Sequence, residues 1–210
     1  VLSAAAGAFA AWRQSHLRGE AEASYASAKQ AIDGYVAAAE HSELLREPRF
    51  QPLMNELLAS ASQYYRDLAA QTAGRPDRLA ELAFAQHRLG TIALFCGSVE
   101  EARGSLRAAA DSYEKLAAQE AASVEVERES AACRHYLAHA LRLVGKVDEA
   151  EKEYERAAAK YDALLAGGGG NVFDRHNAAG CRENLGKLAI MRGDLREATR
   201  SFEATLAIRR

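Results

Sequence analysis

The stretch LGTIALFCGSVEEARGSL at residues 89–106 returns as LAHALRLVGKVDEAEKEY at 137–154 and as LGKLAIMRGDLREATRSF at 185–202. The interval is 48 residues both times, and the matches fall in register. Leu89, Leu137 and Leu185 are each followed by a small residue, Gly90, Ala138 and Gly186. Gly97, Gly145 and Gly193 come next, then Glu101-Ala102, Glu149-Ala150 and Glu197-Ala198, and finally Leu106, Tyr154 and Phe202. Tyr113 and Tyr161 prolong the match. Self-similarity at a fixed period of this length is the mark of stacked structural repeats.

Each copy reads as two helices around a tight turn. The recurring glycine sits where a helix ends, and without a Cβ it enters the left-handed region cheaply. Ser98 with Glu101, and Asp194 with Glu197, have the spacing of a capping box that opens the second helix; Lys146 breaks the pattern in the middle copy. Ala102, Leu106 and Ala109 share one helix face, as do Ala150, Tyr154 and Ala157, and their small members let a partner helix approach. The third copy keeps Ala198 and Phe202 and has Thr205 in the last place. This spacing predicts helices at 77–96 and 98–119, 124–144 and 147–166, and 173–192 and 195–210.

Composition agrees. The 210 residues include 47 alanines and 3 prolines, a balance that favours helix and rarely interrupts it. β-branched and aromatic residues never alternate long enough to build a sheet, so the chain reads as all-α. Twenty-seven Lys+Arg against 29 Asp+Glu give no electrostatic footprint for a phosphate backbone, which argues against a nucleic-acid partner. Cys96, Cys133 and Cys181 are odd in number and far apart, and read as free buried thiols.

The units resemble the tetratricopeptide repeat at Leu-Gly and at Ala-x3-Phe. They depart from it elsewhere: the Trp slot holds Gln86, Arg134 and Arg182, the Tyr slot holds Ala93, Leu141 and Ala189, and the closing proline is absent. The usual unit of about 34 residues is exceeded by about 14, so each helix is longer by nearly two turns. The resemblance implies a right-handed α-solenoid of antiparallel helix pairs, with repeats at 76–123, 124–171 and 172–210. Upstream, residues 19–75 read as a degenerate hairpin. Its first helix, 19–40, carries Ala21, Tyr25, Ala28, Ile32 and Tyr35 near one face; a loop with Pro48 and Pro52 and a helix at 53–72 follow. The run Gly167 to Gly170 reads as a slack link and, lacking Lys-Ser/Thr, is no phosphate loop. The last helix leaves Phe202 and Leu206 uncovered, as if further repeats followed.

Val1 to Trp12 is apolar but shorter than the ~20 residues a bilayer requires. Within residues 1–18 it reads either as the last half of a transmembrane helix, with Trp12 at the interface and Arg13 beyond it, or as an Ala-rich helix start. A larger resemblance covers nearly the whole chain. Ala21-Glu22-Ala23-Ser24-Tyr25 through Ala31-Ile32-Asp33, then Gln51-Pro52-Leu53, Glu56-Leu57-Leu58 and Tyr64-Tyr65 ahead of the repeats, are similar to the C-terminal half of bacterial membrane-anchored serine/threonine protein kinases that carry tetratricopeptide arrays. That likeness implies an upstream kinase domain, a membrane anchor and extracytoplasmic repeats, whereas Arg13 and Arg18 favour the inner side; a free-standing cytoplasmic regulator is the alternative. None of the kinase's own motifs is present in this chain, nor is any nucleophile–base pattern, so no catalysis and no cofactor are expected of it.

The resemblance puts the first helix of each repeat on the concave side, where peptides bind. The candidate groove is therefore Phe84, His87, Arg88, Thr91 and Phe95; His135, Tyr136, His139 and Arg142; and Glu183, Asn184 and Lys187. Arg88, Arg142 and Lys187 have the chemistry to pair with carboxylates of a protein or peptide ligand, or are ordinary solvated charges. His135 and His139 lie one turn apart, a spacing that chelates a metal when a third ligand such as Glu183 converges; such pairs are also common on wet helices, and no metal is assigned. His87, His135 and His139 together would make binding respond to pH between about 5.5 and 7.5. Self-association through the uncovered apolar ends is the competing role.

Overall fold

The computed structural model describes residue 34, residues 51–118 and residues 123–209. The chain divides into two compact units, Val1–Ala61 and Ser62–Arg210. Among the described residues there are seven α-helices and no strand: α1 (Gln51–Thr72), α2 (Leu79–Phe95), α3 (Val99–Ala117), α4 (Val124–Leu143), α5 (Val147–Ala166), α6 (Val172–Met191) and α7 (Leu195–Arg209). The segment Val1 to Trp12, the helix expected at 19–40 apart from Gly34, and the loop at Pro48 lie outside the described residues. Among those described, no helix is long and apolar enough to cross a membrane. Pro52, read from sequence as loop, is the second residue of α1, where its missing N–H is no loss because first-turn amides have no partner inside the helix.

The second unit is an all-α helical-repeat solenoid. Each helix from α2 to α7 packs on its neighbours in sequence, and α4 also touches α2 and α6. The pairs α2–α3, α4–α5 and α6–α7 are the repeating hairpins. Their turns are Schellman motifs at all three positions. Gly97, Gly145 and Gly193 have φ of 77°, 76° and 78°, and the amides of Ser98, Lys146 and Asp194 reach back to the carbonyls of Ala93, Leu141 and Ala189 at 2.8, 2.9 and 2.9 Å. The last carbonyls of each first helix are thereby satisfied.

Within a hairpin, contact is set by the small residue after the leucine. A Cβ on Gly90 would collide with Leu106 Cγ and lie 3.1 Å from the Leu106 backbone nitrogen; on Gly186 it would lie 2.9 Å from Phe202 Cζ. Phe202 is thus half-buried over Gly186 rather than uncovered, and of the expected pair only Leu206 is exposed, at 56%. The core continues through Leu106, Tyr113, Leu137, Leu141, Tyr154, Tyr161 and Leu188. Thr205 is buried and returns its hydroxyl proton to the Ser201 carbonyl at 2.9 Å. Cys133 and Cys181 are buried, but Cys96, beside the first turn, is exposed.

Other sequence expectations change in detail. Ser98 makes no side-chain cap, whereas Asp194 accepts from the Glu197 amide at 2.9 Å. A full capping box stands where none was expected: Asn171 Oδ1 accepts from the Asp174 amide, and Asp174 Oδ2 from the Asn171 amide, both at 2.9 Å. The glycine run is a fitted turn. Gly168 has φ 72°, a Cβ on Gly170 would sit 2.9 Å from Leu165 Cα, and Arg128 Nη2 donates to the Gly169 carbonyl at 3.0 Å.

The Trp slot is occupied by polar side chains that find partners. The Arg134 side chain is 4% exposed and bonds Glu114 of α3 and Glu153 of α5, the latter at 2.6 Å. Arg182 pairs with Asp162, and Gln86 Oε1 accepts from Ser112 Oγ at 3.3 Å.

The close approach gives a paired prediction. Gly90→Ala is expected to cost about 1–3 kcal/mol by overpacking against Leu106. Gly104→Ala, in the middle of α3 with nothing within 4 Å of its added Cβ, is expected to gain about 0.4–1 kcal/mol. Urea midpoints of the two variants check both signs.

Candidate functional site

The first helices of the hairpins, α2, α4 and α6, carry the expected groove residues, and the structure sorts them into interior and open groups. On α2 the side chains are engaged in packing. His87 is 1% exposed, with Nδ1 3.0 Å from Glu129 Oε2 of α4. Thr91 is fully buried and donates to the His87 carbonyl at 3.0 Å. These two are not groove-facing: the inter-helix junction takes them in. Arg88 is half-buried, with its guanidinium 4.9 Å above the Phe84 ring and 3.8 Å from Glu129. Phe84 in turn meets Tyr65 of α1 edge-on. Phe95, the last residue of α2, is 45% exposed.

On α4 the equivalent turns stay open. His135, Tyr136, His139 and Arg142 are all half-buried. Leu94 and Phe95 of α2 close with His135, Tyr136 and His139 around a cavity of about 260 Å³. A second cavity, about 60 Å³, lies on the other side of His135 and Tyr136 and is bounded by Ala132, Tyr161 and Asn177. The 48-residue register explains this placement: one period apart, neighbouring first helices lie side by side, and residues of α4 complete walls begun by α2 and continued by α6.

On α6, Asn184 donates to the Gly180 carbonyl at 2.9 Å. Glu183 accepts from Lys187 at 2.7 Å and from Arg209 at 2.6 Å, and these two cations hold its carboxyl below the usual range. Glu183 is committed to those partners and does not converge on His135 and His139. Among the described residues no three His, Cys, Asp or Glu side chains come together as a metal site.

One pairing escaped sequence analysis. Cys181 Sγ lies 3.5 Å from His135 Nδ1, two residues short of one full period away. Overlaying the repeats would have revealed it. The pair has the outline of a nucleophile and base, but its environment disarms it. Burial pushes the Cys181 thiol up to about 12 and the His135 imidazole down to about 4. At neutral pH both are uncharged, so neither the thiolate nor the imidazolium that nucleophilic catalysis needs is formed. His139 is also lowered, by burial first and then by Arg142. The expected pH response between 5.5 and 7.5 therefore moves to more acid values for His135.

The sign for stability follows from linkage. A histidine depressed in the folded state binds its proton first in the unfolded chain, near pH 6.5, so acidification favours unfolding. The His135 contribution is intact above about pH 6.5 and is lost progressively as pH falls towards 4, by about 3 kcal/mol at about 1.4 kcal/mol per pKa unit. Urea unfolding from pH 7.5 to 4 is expected to show a flatter acid limb in His135→Gln than in the wild type; identical limbs would remove His135 as the cause.

Comparison with known proteins fits this geometry. The tetratricopeptide repeat family model matches residues 130–165 and 178–210. No curated protein matches the chain in sequence. Among solved structures, BtubC (BKLC) from P. vanneervenii is 17% identical over 90% of this chain and 75% of its own, with a TM-score of 0.58. A Podosopora anserina protein of nearly identical TPR-like repeats, described as a kinesin light chain, is 21% identical over 86% of this chain and 85% of its own, with a TM-score of 0.50. At these identities the likeness is one of fold. Residues 130–165 and 178–210 are thus similar to tetratricopeptide repeats, and the helical-repeat architecture is one suited to a protein-interaction scaffold.

Proposed function

We propose that the chain is a non-catalytic protein-binding module that holds a peptide or protein segment along the first helices of its repeats. The supporting observation is the contrast along one register. Leu137, Ala138 and Leu141 of α4 are buried, while Tyr136, His139 and Arg142 on the same turns remain accessible beside an open cavity; Asn184 and Lys187 continue the accessible row on α6. A recessed, partly apolar surface with a few convergent polar groups is the usual chemistry of a binding site. Self-association is the second reading, favoured by Ile190, Met191 and Leu206, which are 51%, 65% and 56% exposed.

One cross-linking experiment separates the two. A photoreactive residue at Asn184 in source cells is expected to capture another polypeptide reproducibly, while one at Lys152, on the exposed side of α5, captures none. Recovery of the chain's own peptides from Leu206, with nothing from Asn184, would replace binding by self-association.

The narrower reading makes this array the sensing or docking half of a membrane-anchored serine/threonine kinase. It rests on the order of motifs from Ala21 to Tyr65. An antibody to the chain is then expected to find a native polypeptide several times larger than 22.7 kDa in the membrane fraction, with kinase peptides upstream. A small soluble species would leave a free-standing regulator.

A further inference from the structure

An apolar knob and an apolar hole stand side by side on the edge of the array where first helices begin and second helices end. The knob is the start of α6. Val172 and Phe173 are 77% and 72% exposed, the highest values among the large exposed hydrophobic side chains described. Contiguous exposed apolar groups of this kind mark interaction surfaces. One and two periods earlier the place of Phe173 holds Glu125 and Asp77, whose side chains are 67% and 66% exposed although further helices follow both. Stacking another hairpin therefore does not cover this position, and the array itself gives the ring no burial.

The hole is a cavity of about 390 Å³ between the first turn of α4, the last two turns of α5 and the glycine turn that leads into α6. Among the described residues its walls are Val124, Ala159, Ala163, Leu164, Gly167 and Gly169, with Glu127 and Lys160 paired at its rim. The first copy has Asp111 and Lys115 at the places of the two alanines. The second copy thus replaces two charged side chains by methyl groups, and Ala159 and Ala163 are both exposed. A cavity of about 150 Å³ suffices for a benzene ring, so this one has room for a phenyl group.

Phe173 lies four residues beyond Gly169 and does not fill the hole beside it. A two-fold axis at this edge satisfies both features at once, because an isologous contact lets the knob of each copy enter the hole of the other. The flanking charges agree with that exchange: exposed Arg175 stands two residues after Phe173, and exposed Glu125 one residue after Val124.

We propose that a second copy of this chain occupies the cavity, with Phe173 of each copy seated on Ala159 and Ala163 of the other and Arg175 set against Glu125. The surface uses none of Tyr136, His139, Asn184 and Lys187, so it stands independently of the peptide-binding reading. It also differs from the self-association reading above, which rests on Ile190, Met191 and Leu206.

Sedimentation equilibrium of the full chain tests it. The contact is confined to one edge, which places it in the small, transient class of interfaces, and a dimer with Kd on the order of 10 μM is expected. Phe173→Glu, which installs the residue of the second repeat, removes two buried rings per dimer and is expected to weaken association at least about a hundredfold, about tenfold for each ring. Ala163→Lys, which installs the residue of the first repeat, fills the hole and leaves the knob intact; the same loss is expected. Both positions are exposed, so at about 1 μM, where dimer is scarce, each variant is expected to melt with the wild type. A wild-type chain that stays monomeric at about 500 μM, or a dimer whose Kd moves less than about threefold in either variant, would overturn the proposal. Loss of such an insensitive dimer in Leu206→Asp would move the interface to that residue.

Discussion

The structure depends on how closely the two helices of a hairpin approach each other. At Gly90 the approach brings the α2 backbone onto Leu106, and at Gly186 it brings α6 under the Phe202 ring; between them Ala138 and Tyr154 are both fully buried. A larger side chain at any of these points would separate the helices. The pair would then no longer present the flat surface on which the next first helix packs, because each hairpin buries its face against its successor. The three Schellman turns serve the same contact from the other end. By satisfying the last carbonyls of α2, α4 and α6 they let each chain reverse in a few residues and keep the two helices antiparallel and in register.

Where the usual repeat has tryptophan, this chain relies on charge in its second and third copies and on the Gln86–Ser112 hydrogen bond in its first. Arg134 lies in the interior and is held from both sides, by Glu114 of the helix before it and Glu153 of the helix after it. A buried ion pair adds little net stability, because desolvation offsets its Coulomb gain, but breaking one leaves an uncompensated charge. Its effect is to penalise wrong registers more than to strengthen the right one. A His87 Nδ1–Glu129 contact at 3.0 Å joins α2 to α4, and Arg128 repeats the ion-pair logic between α4 and α6, where it meets Asp174 at 3.0 Å and the Gly169 carbonyl as well. Asp174 is also the reciprocal member of the α6 capping box, so one carboxylate starts that helix and fastens it to its neighbour. Each junction is thereby keyed by a different polar contact on an otherwise similar apolar surface.

This division explains what the sequence disclosed and what it concealed. Helix positions and turns were legible because they depend on local rules: glycine at a left-handed cap, alanine at close approach, and a period that repeats. The helices begin and end within two residues of the predicted positions. Ser98 misled because its spacing to Glu101 matches a capping box, while the Schellman turn had already fixed its amide on Ala93. His87 and Thr91 misled for a nonlocal reason. The resemblance assigns the first helices as a whole to the concave side, but the packing of α4 against α2, with Glu129 meeting His87, places these two side chains in the interior. The same holds for Cys181 and His135, whose contact exists only once two repeats are stacked. Residues that meet across a junction are readable in principle by shifting the sequence one period against itself; the identity of the partner atom is not.

A repeat protein can use a given register position either to hold its neighbours or to leave a surface open, and the three copies here have diverged along that choice. At the place of His87 and Thr91 the first copy closes its junction with a buried histidine, a buried hydroxyl and the Glu129 carboxylate. In the second copy the same places hold His135 and His139, and they border cavities instead. In the third they hold Glu183 and Lys187, which pair with each other and with Arg209. Arg142 breaks the apolar series of Leu94 and Ile190 at the same copy where the cavity is open. The departures from repeat symmetry are thus spread over α4 and α6. The side chains that the fold needs in common, glycine at the turn and a small residue at the close approach, recur in every copy, while those at the places it leaves open differ from copy to copy.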